Sequence, residues 1–220
     1  MLFSLKGDIL TMLLNIVILI PILAFSITLH EVSHGYMAYW LGDRTAKYQG
    51  RLTFNPIKHW DLYGFLSMLL IGFGWAKPVP VNYNNFKKRK LGMVLTALAG
   101  PLSNIIFGVI CIFFIVIGIM YLPAAPFLTD IFITAAAVNF MLAFFNLIPL
   151  PPLDGSKIFL AVLPDRHYFR LMQYERFGSI FIIVLILISN INPALDVFAA
   201  LQTLVLNFTT MILKTFFFFT

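Results

Sequence analysis

The chain has 220 residues, 60% of them hydrophobic and 11% charged, with 24 phenylalanines and a formal net charge of +6. Soluble domains carry roughly 25% charged residues and about 45–50% apolar ones, so this composition excludes an ordinary soluble domain and points to an integral membrane protein. The excess of Lys and Arg reads as basic loops beside anionic lipid, not as a nucleic-acid surface, because the aromatic residues sit inside apolar runs and do not alternate with basic ones.

Residues 9–42 form the first predicted element, about 50 Å long if helical, against a hydrocarbon core of roughly 30 Å. The apolar run outlasts a roughly 7–15-residue signal-peptide core with no small-residue cleavage site before His30, so it reads as an uncleaved span. Pro21 predicts a kink, and Gly42-Asp43-Arg44 a stop. The polar stretch KYQGRLTFNPIKHWDLYG (47–64) begins with enough β-branched and aromatic character for short strands. Residues 62–76 are apolar, glycine-rich and short, which predicts a re-entrant or interfacial segment. A basic loop, KPVPVNYNNFKKRK (77–90), precedes a long span at 91–121 interrupted by AGPLSN. The single cysteine, Cys111, lies in that span and excludes an intrachain disulfide. An uncharged turn at 122–128 leads to a span at 129–149, and a mixed-charge loop (157–176) to another at about 177–191. A final apolar stretch, 196–219, either spans or lies at the interface.

The expected fold is therefore an all-α polytopic membrane protein, a single domain over 1–220. It has about five or six membrane helices and a small β or re-entrant segment after the first. The catalytic core lies at about 9–160 and the C-terminal helices at about 177–219. Lys77, Lys87, Lys88, Arg89 and Lys90 in one loop and Lys157, Arg166, Arg170 and Arg176 in another place both loops in the cytoplasm. The N-terminus is then outside, provided 62–76 does not cross.

Within residues 9–42 the only formally charged residue is Glu31, in HEVSH (30–34). A charge at mid-membrane costs at least about 2.5–3.5 kcal/mol, so its presence asks for a function. His30 and His34, at i and i+4, share one helical face with Cβ atoms about 5–6 Å apart, within reach of one zinc. Glu31 is then placed to take a proton from water. The bland reading, two interfacial histidines on an ordinary helix, suffers because His34 lies ~12 Å below the predicted helix end. A zinc hydrolase needs a third ligand and an open position. Asp43 and Asp61 read as solvated or capping loop residues, and Asp130 lies at the wrong end of its span. Asp154 sits at the depth of His34, where Pro149, Pro151 and Pro152 forbid a regular helix and Gly155 permits a sharp turn. It also fits a plain proline-rich helix exit, but beside HEVSH it is the best third ligand.

HEVSH in the first span, with N-x-x-P-x-P-x-x-D-G from Asn146 to Gly155, resembles the site-2 protease family of intramembrane zinc metalloproteases. NPIKHWDLYG (55–64), GWAKPVPVN (74–82) and AGPLSN (99–104) resemble its connecting motifs, so the likeness covers roughly residues 20–160 in order. It implies one zinc ion on His30, His34 and Asp154, Glu31 as general base and acid, and Asn146 holding the peptide carbonyl or oxyanion. It also implies single-pass membrane-protein substrates, cleaved in or near their transmembrane segments. Leu62 and Tyr83 stand where the family has prolines, departures that touch substrate gating and not the metal. No stretch is long or polar enough for a PDZ or CBS module, so the minimal form is expected, with a regulatory membrane partner or homo-oligomer supplying control.

Asn104 and Asn55 are the candidate substrate-binding residues. Ser103 and Asn104 fit a bond across helices near the site as well as they fit a packing kink with Gly100 and Pro101. His59 reads first as a loop-packing residue, and His167 as a solvated one. A substrate helix must unwind locally, and the edge of the short strand or re-entrant segment is expected to hold it extended. Rival readings are weaker. A zincin with a later glutamate as ligand has only Glu175 to offer, and a transporter would want several intramembrane acids or repeated halves. A non-catalytic metal-binding scaffold of the same fold would not need Glu31. The expected location is the cell membrane, multi-pass, with the active site toward the cytoplasm.

Overall fold

Helices that are apolar on every side are stable in lipid because all their backbone groups pair internally. The computed structural model, which describes residues 9–71, 74–121, 126–174, 178, 182, 184 and 196–217, is built around such helices. Helix α1 (Ile9–Trp40) has 32 residues; after α2 (Thr45–Tyr48) and α3 (Leu62–Ile71) come α4 (Arg89–Tyr121) and α5 (Pro126–Asn146). Short helices α6 (Asp154–Phe159) and α7 (Asp165–Met172) precede α8 (Val197–Phe217). Among the described residues, three helices are long and apolar enough to cross a bilayer: Leu13–Trp40, Arg89–Tyr121 and Phe127–Asn146. The span expected at about 177–191 lies largely outside the described residues.

Helix α4 is the central element, packed against α1 on one side and α5 on the other. Its Cys111, Ile112 and Ile115 meet Ala135, Ala136 and Phe140 of α5 and Val205 and Ile212 of α8 in one buried core. The small alanines let the backbones approach, the usual device where lipid supplies no hydrophobic drive. Gly108 serves the same end, lying flat against the Phe140 ring where a Cβ would overlap it.

The expected stop of α1 is present. Gly42 adopts φ 110°, with Gly42 N–H bonded to Tyr39 O (3.1 Å) and Asp43 N–H to Ala38 O (2.9 Å), a Schellman ending. The short strands expected in KYQGRLTF do not form, and no strand occurs among the described residues. Instead Asp43 accepts hydrogen bonds from the Thr45 N–H (3.1 Å) and hydroxyl (2.5 Å), starting the helical turn of α2. Gly50, at φ 62°, closes that turn, with Arg51 N–H on Ala46 O at 2.9 Å. Capping at both ends overrides the β propensity of the side chains between.

Helix α3 has ten residues, about 15 Å of rise and half a bilayer core. The chain then returns to where it left: Gly64 lies against the Trp75 backbone, and Lys77 N–H bonds His59 O at 2.9 Å. The described residues on either side, up to Ile71 and from 74 on, are thus brought back together at Gly64–Trp75 and His59–Lys77. The two basic loops also meet, through Lys90 to Asp165 (3.1 Å) and the Arg89 guanidinium over the Phe169 ring (4.5 Å).

Candidate metal centre

One turn of α1 sets the His30 and His34 rings edge to face, centroids 4.5 Å apart. Asp154 opens α6, and its approach is fixed by the turn before it. Gly155 is pressed against the carbonyls of Leu147 and Ile148, where a Cβ would overlap both. Ser156 N–H and hydroxyl bond Leu153 O at 3.1 and 2.8 Å. The result is a triangle of His30 Nε2, His34 Nε2 and Asp154 Oδ2 with sides of 3.0–3.1 Å. All three residues are buried.

Chemistry fixes which atoms face one another. Thr96 O is a carbonyl and only accepts, so His34 Nδ1, 2.6 Å away, donates to it. The neutral ring then points the lone pair of Nε2 into the triangle. His30 Nδ1 lies 2.7 Å from Asn104 Oδ1 and makes the equivalent bond. With both rings neutral, two imidazole lone pairs and a carboxylate oxygen converge on one point, an arrangement that a cation at the centre satisfies. For metal bonds of about 2.0–2.1 Å a tetrahedral face has edges of about 3.3 Å, so the donor set suits zinc in size and kind. Gly100 of α4 forms the back wall. A Cβ there would stand 2.5 Å from His34 Cε1 and Nε2.

Glu31 is half-buried, and its Oε2 accepts the Val79 N–H at 2.8 Å. That donor belongs to a strap, residues 77–86, tied to Glu31 of α1 and to Asp43 just beyond its end. Arg51 Nη2 holds Lys77 O (2.8 Å) and Pro78 O (3.2 Å). Asp43 Oδ2 accepts Asn82 N–H, and its Oδ1 the Asn85 amide, each at 2.7 Å.

The other sequence candidates fall elsewhere. Asn146, the last residue of α5, is half-buried and donates to Leu142 O (2.9 Å), not to the triangle. Asn104 was expected to meet substrate; it is fully buried beneath His30, and protein groups take its bonds. Asn55 is exposed and caps the 3-10 turn Pro56–His59 by accepting Ile57 N–H at 3.1 Å. Asp61 caps α3 through Gly64 N–H, and His59 is a buried packing residue whose Nε2 donates to Thr53 O. Asp43 is a cap, as expected, and His167 is exposed. Sequence reasoning missed the Val79 N–H and Thr96 carbonyl, backbone groups that carry no sequence signal. It also missed Asn139, bonded to Asn104 at 2.8 Å, although a lone Asn in the apolar run FITAAAVNFML is itself a signal.

The family model described as Peptidase family M50 matches residues 116–191. "Putative zinc metalloprotease YwhC" of Bacillus subtilis (strain 168) is 45% identical over 172 residues, 76% of this chain and 78% of that one. "Putative zinc metalloprotease MJ0611" of Methanocaldococcus jannaschii is 30% identical over 141 residues, covering 62% and 71%. "Putative zinc metalloprotease Rip2" of Mycolicibacterium smegmatis is 26% identical over 186 residues, covering 78% and 65%. No solved structure matches the chain.

Proposed function

The chain belongs to peptidase family M50, and from that premise we propose that it is an intramembrane zinc endopeptidase of the site-2 protease type. Its substrates are single-pass membrane proteins, cut in or near their transmembrane segments. The observation that carries this reading is the buried triangle of His30, His34 and Asp154, two of whose members share an apolar helix with the neighbouring Glu31. A non-catalytic scaffold would need the triangle but not Glu31.

His30, His34 and Asp154 would hold one zinc ion. When bound, zinc supplies a Lewis-acid charge that makes water nucleophilic near neutral pH and steadies negative charge on a peptide oxygen. With Val79 N–H holding Oε2, Glu31 offers Oε1 to take the proton from the attacking water. As the peptide C–N bond breaks, the same oxygen returns that proton to the leaving nitrogen, giving a carboxylate and an amine. Asn146 Nδ2 carries a second hydrogen beyond the one given to Leu142 O, and in this proposal it is directed to the substrate carbonyl. His34 and His30 lie six and ten residues before the end of α1, about 9 and 15 Å deep, so water is admitted from the end where the basic loops meet. The positive-inside rule makes that end cytoplasmic in a multi-pass protein of the cell membrane.

The test pairs metal content with cleavage of a membrane-tethered substrate. Wild type is expected to carry one zinc, and His34→Ala and Asp154→Ala to lose it. Glu31→Gln should keep zinc and lose about 10²–10⁴-fold in cleavage. Normal cleavage by Glu31→Gln, or unchanged zinc in Asp154→Ala, would overturn the assignment.

A further inference from the structure

We propose that Asn139 and Ser26, whose side chains bond neither the His rings nor Asp154, act through Asn104 to set which nitrogen of His30 carries its proton. The inference rests on the reading of His30 as a zinc ligand and deepens it. Two backbone carbonyls that can only accept, Ala135 O and Ser26 O, fix the orientation of the amides between them. Asn139 contacts Ala135 O, 2.8 Å away in its own helix, and a carbonyl cannot donate, so the amide end there is Nδ2. The same Nδ2 reaches Ser26 Oγ at 2.8 Å. Asn139 Oδ1 therefore faces Asn104, which must present Nδ2 to it, at 2.8 Å. Ser26 O, a second carbonyl, takes the other hydrogen of Asn104 Nδ2 at 3.2 Å. Both hydrogens are then committed, and Asn104 Oδ1 is left to face His30 Nδ1 at 2.7 Å. An oxygen there admits only an Nδ1–H, which leaves the Nε2 lone pair directed at the triangle. Ser26, Asn104 and Asn139 are all fully buried, so no water can substitute for a missing partner.

The three residues come from three helices, α1, α4 and α5, so the relay exists only when all three are packed together. Burying three polar side chains in lipid-depth core is costly unless each bond is made. A flipped Asn104 would set its amide hydrogens against His30 Nδ1, force the proton onto Nε2, and turn that hydrogen toward Asp154 and the metal position. Asn139 is thus a positioning residue; it meets neither substrate nor reacting atoms.

The experiment compares wild type, Asn139→Leu, Asn104→Asp and the double variant by zinc affinity, and by 15N shifts of the histidines in metal-free protein. Asn139→Leu should weaken zinc binding by about tenfold, the low end for groups that orient a ligand. In its metal-free form it should show His30 with a mixed or Nε2–H tautomer in place of Nδ1–H. An aspartate at 104 has two accepting oxygens and cannot flip wrongly, so Asn104→Asp placed in the Asn139→Leu background should restore both readouts. A merely structural Asn139 would not be rescued in this way. Wild-type zinc affinity in Asn139→Leu, or failure of the rescue in a folded double variant, would overturn the relay. If wild type binds no zinc, the metal reading fails, while the tautomer shifts still decide the relay.

Discussion

Replacing Gly100 with alanine separates fold from site. The added methyl would stand 2.5 Å from Cε1 and Nε2 of His34 and 2.6 Å from Cε1 of His30, where carbon contacts normally settle at about 3.5–4.0 Å. One wall or the other must yield by about 1 Å. In stability the effects nearly cancel, because Ala for Gly inside a helix gains about 1 kcal/mol while overpacking costs about 1–3 kcal/mol. The net change is within about 2 kcal/mol. A metal centre has no such tolerance, since its ligand distances hold to about ±0.2 Å. Zinc affinity should drop at least about 100-fold and cleavage by a similar factor. The matched control is Gly92→Ala in the same helix, where the methyl meets the Phe86 ring, not a histidine. Thermal unfolding, zinc content and cleavage are measured on both. A Gly100→Ala protein that holds zinc and cleaves like wild type would show that α4 is not the wall behind the histidines.

Val79→Pro removes the N–H that holds Glu31 in a strap already flanked by Pro78 and Pro80, so the backbone change is small. It should slow turnover about tenfold with zinc retained, and an unchanged or faster rate counts against a positioning role for that contact. Burial favours the protonated form of Asp43, but hydrogen bonds from Thr45, Asn82 and Asn85 outweigh it and hold the carboxyl below its ordinary 3.8. A folded value below the unfolded one means full stabilisation above about pH 4, lost as pH falls through the folded value. Hydrogen exchange at the Asn82 amide should therefore accelerate in acid in wild type, whereas in Asp43→Ala it should be fast at every pH, at a cost of about 3 kcal/mol. Equal exchange in both proteins would remove Asp43 as the anchor of the strap.

How much was legible follows from where each signal resides. HEVSH and Asp154 were readable because histidines one helical turn apart and an acid beside Gly155 report their geometry locally. The end of α1 at Gly42 was readable for the same reason, since only the ending residues decide it. That α3 is too short to span was readable from the length of its apolar run. The strands misread in KYQGRLTF failed because Asp43 caps the turn from outside the stretch while binding Asn82 and Asn85, 39 and 42 residues away. Asn104 was identified as polar and near the site, but its direction depends on partners 78 and 35 residues off in sequence. Periodicity says which face a residue occupies, not which of its atoms is already taken.

The same accounting bears on how a substrate is held. An edge that lends itself to strand addition needs unspent N–H and C=O groups facing outward. In the strap, Lys77, Val79 and Asn82 give their N–H groups to His59, Glu31 and Asp43. Pro78 and Pro80 have none to give, and the carbonyls of Lys77 and Pro78 already receive Arg51. A peptide laid along 77–80 thus finds no N–H donor there and few acceptors, so strand addition at this place returns little for the helical bonds the substrate must open. Under the proposed function, the ease with which a substrate segment leaves its own helix is then expected to govern cleavage more than any bonding the strap provides. Glycine, proline or asparagine near the scissile bond lowers that cost directly, since each weakens the helix by its own backbone chemistry.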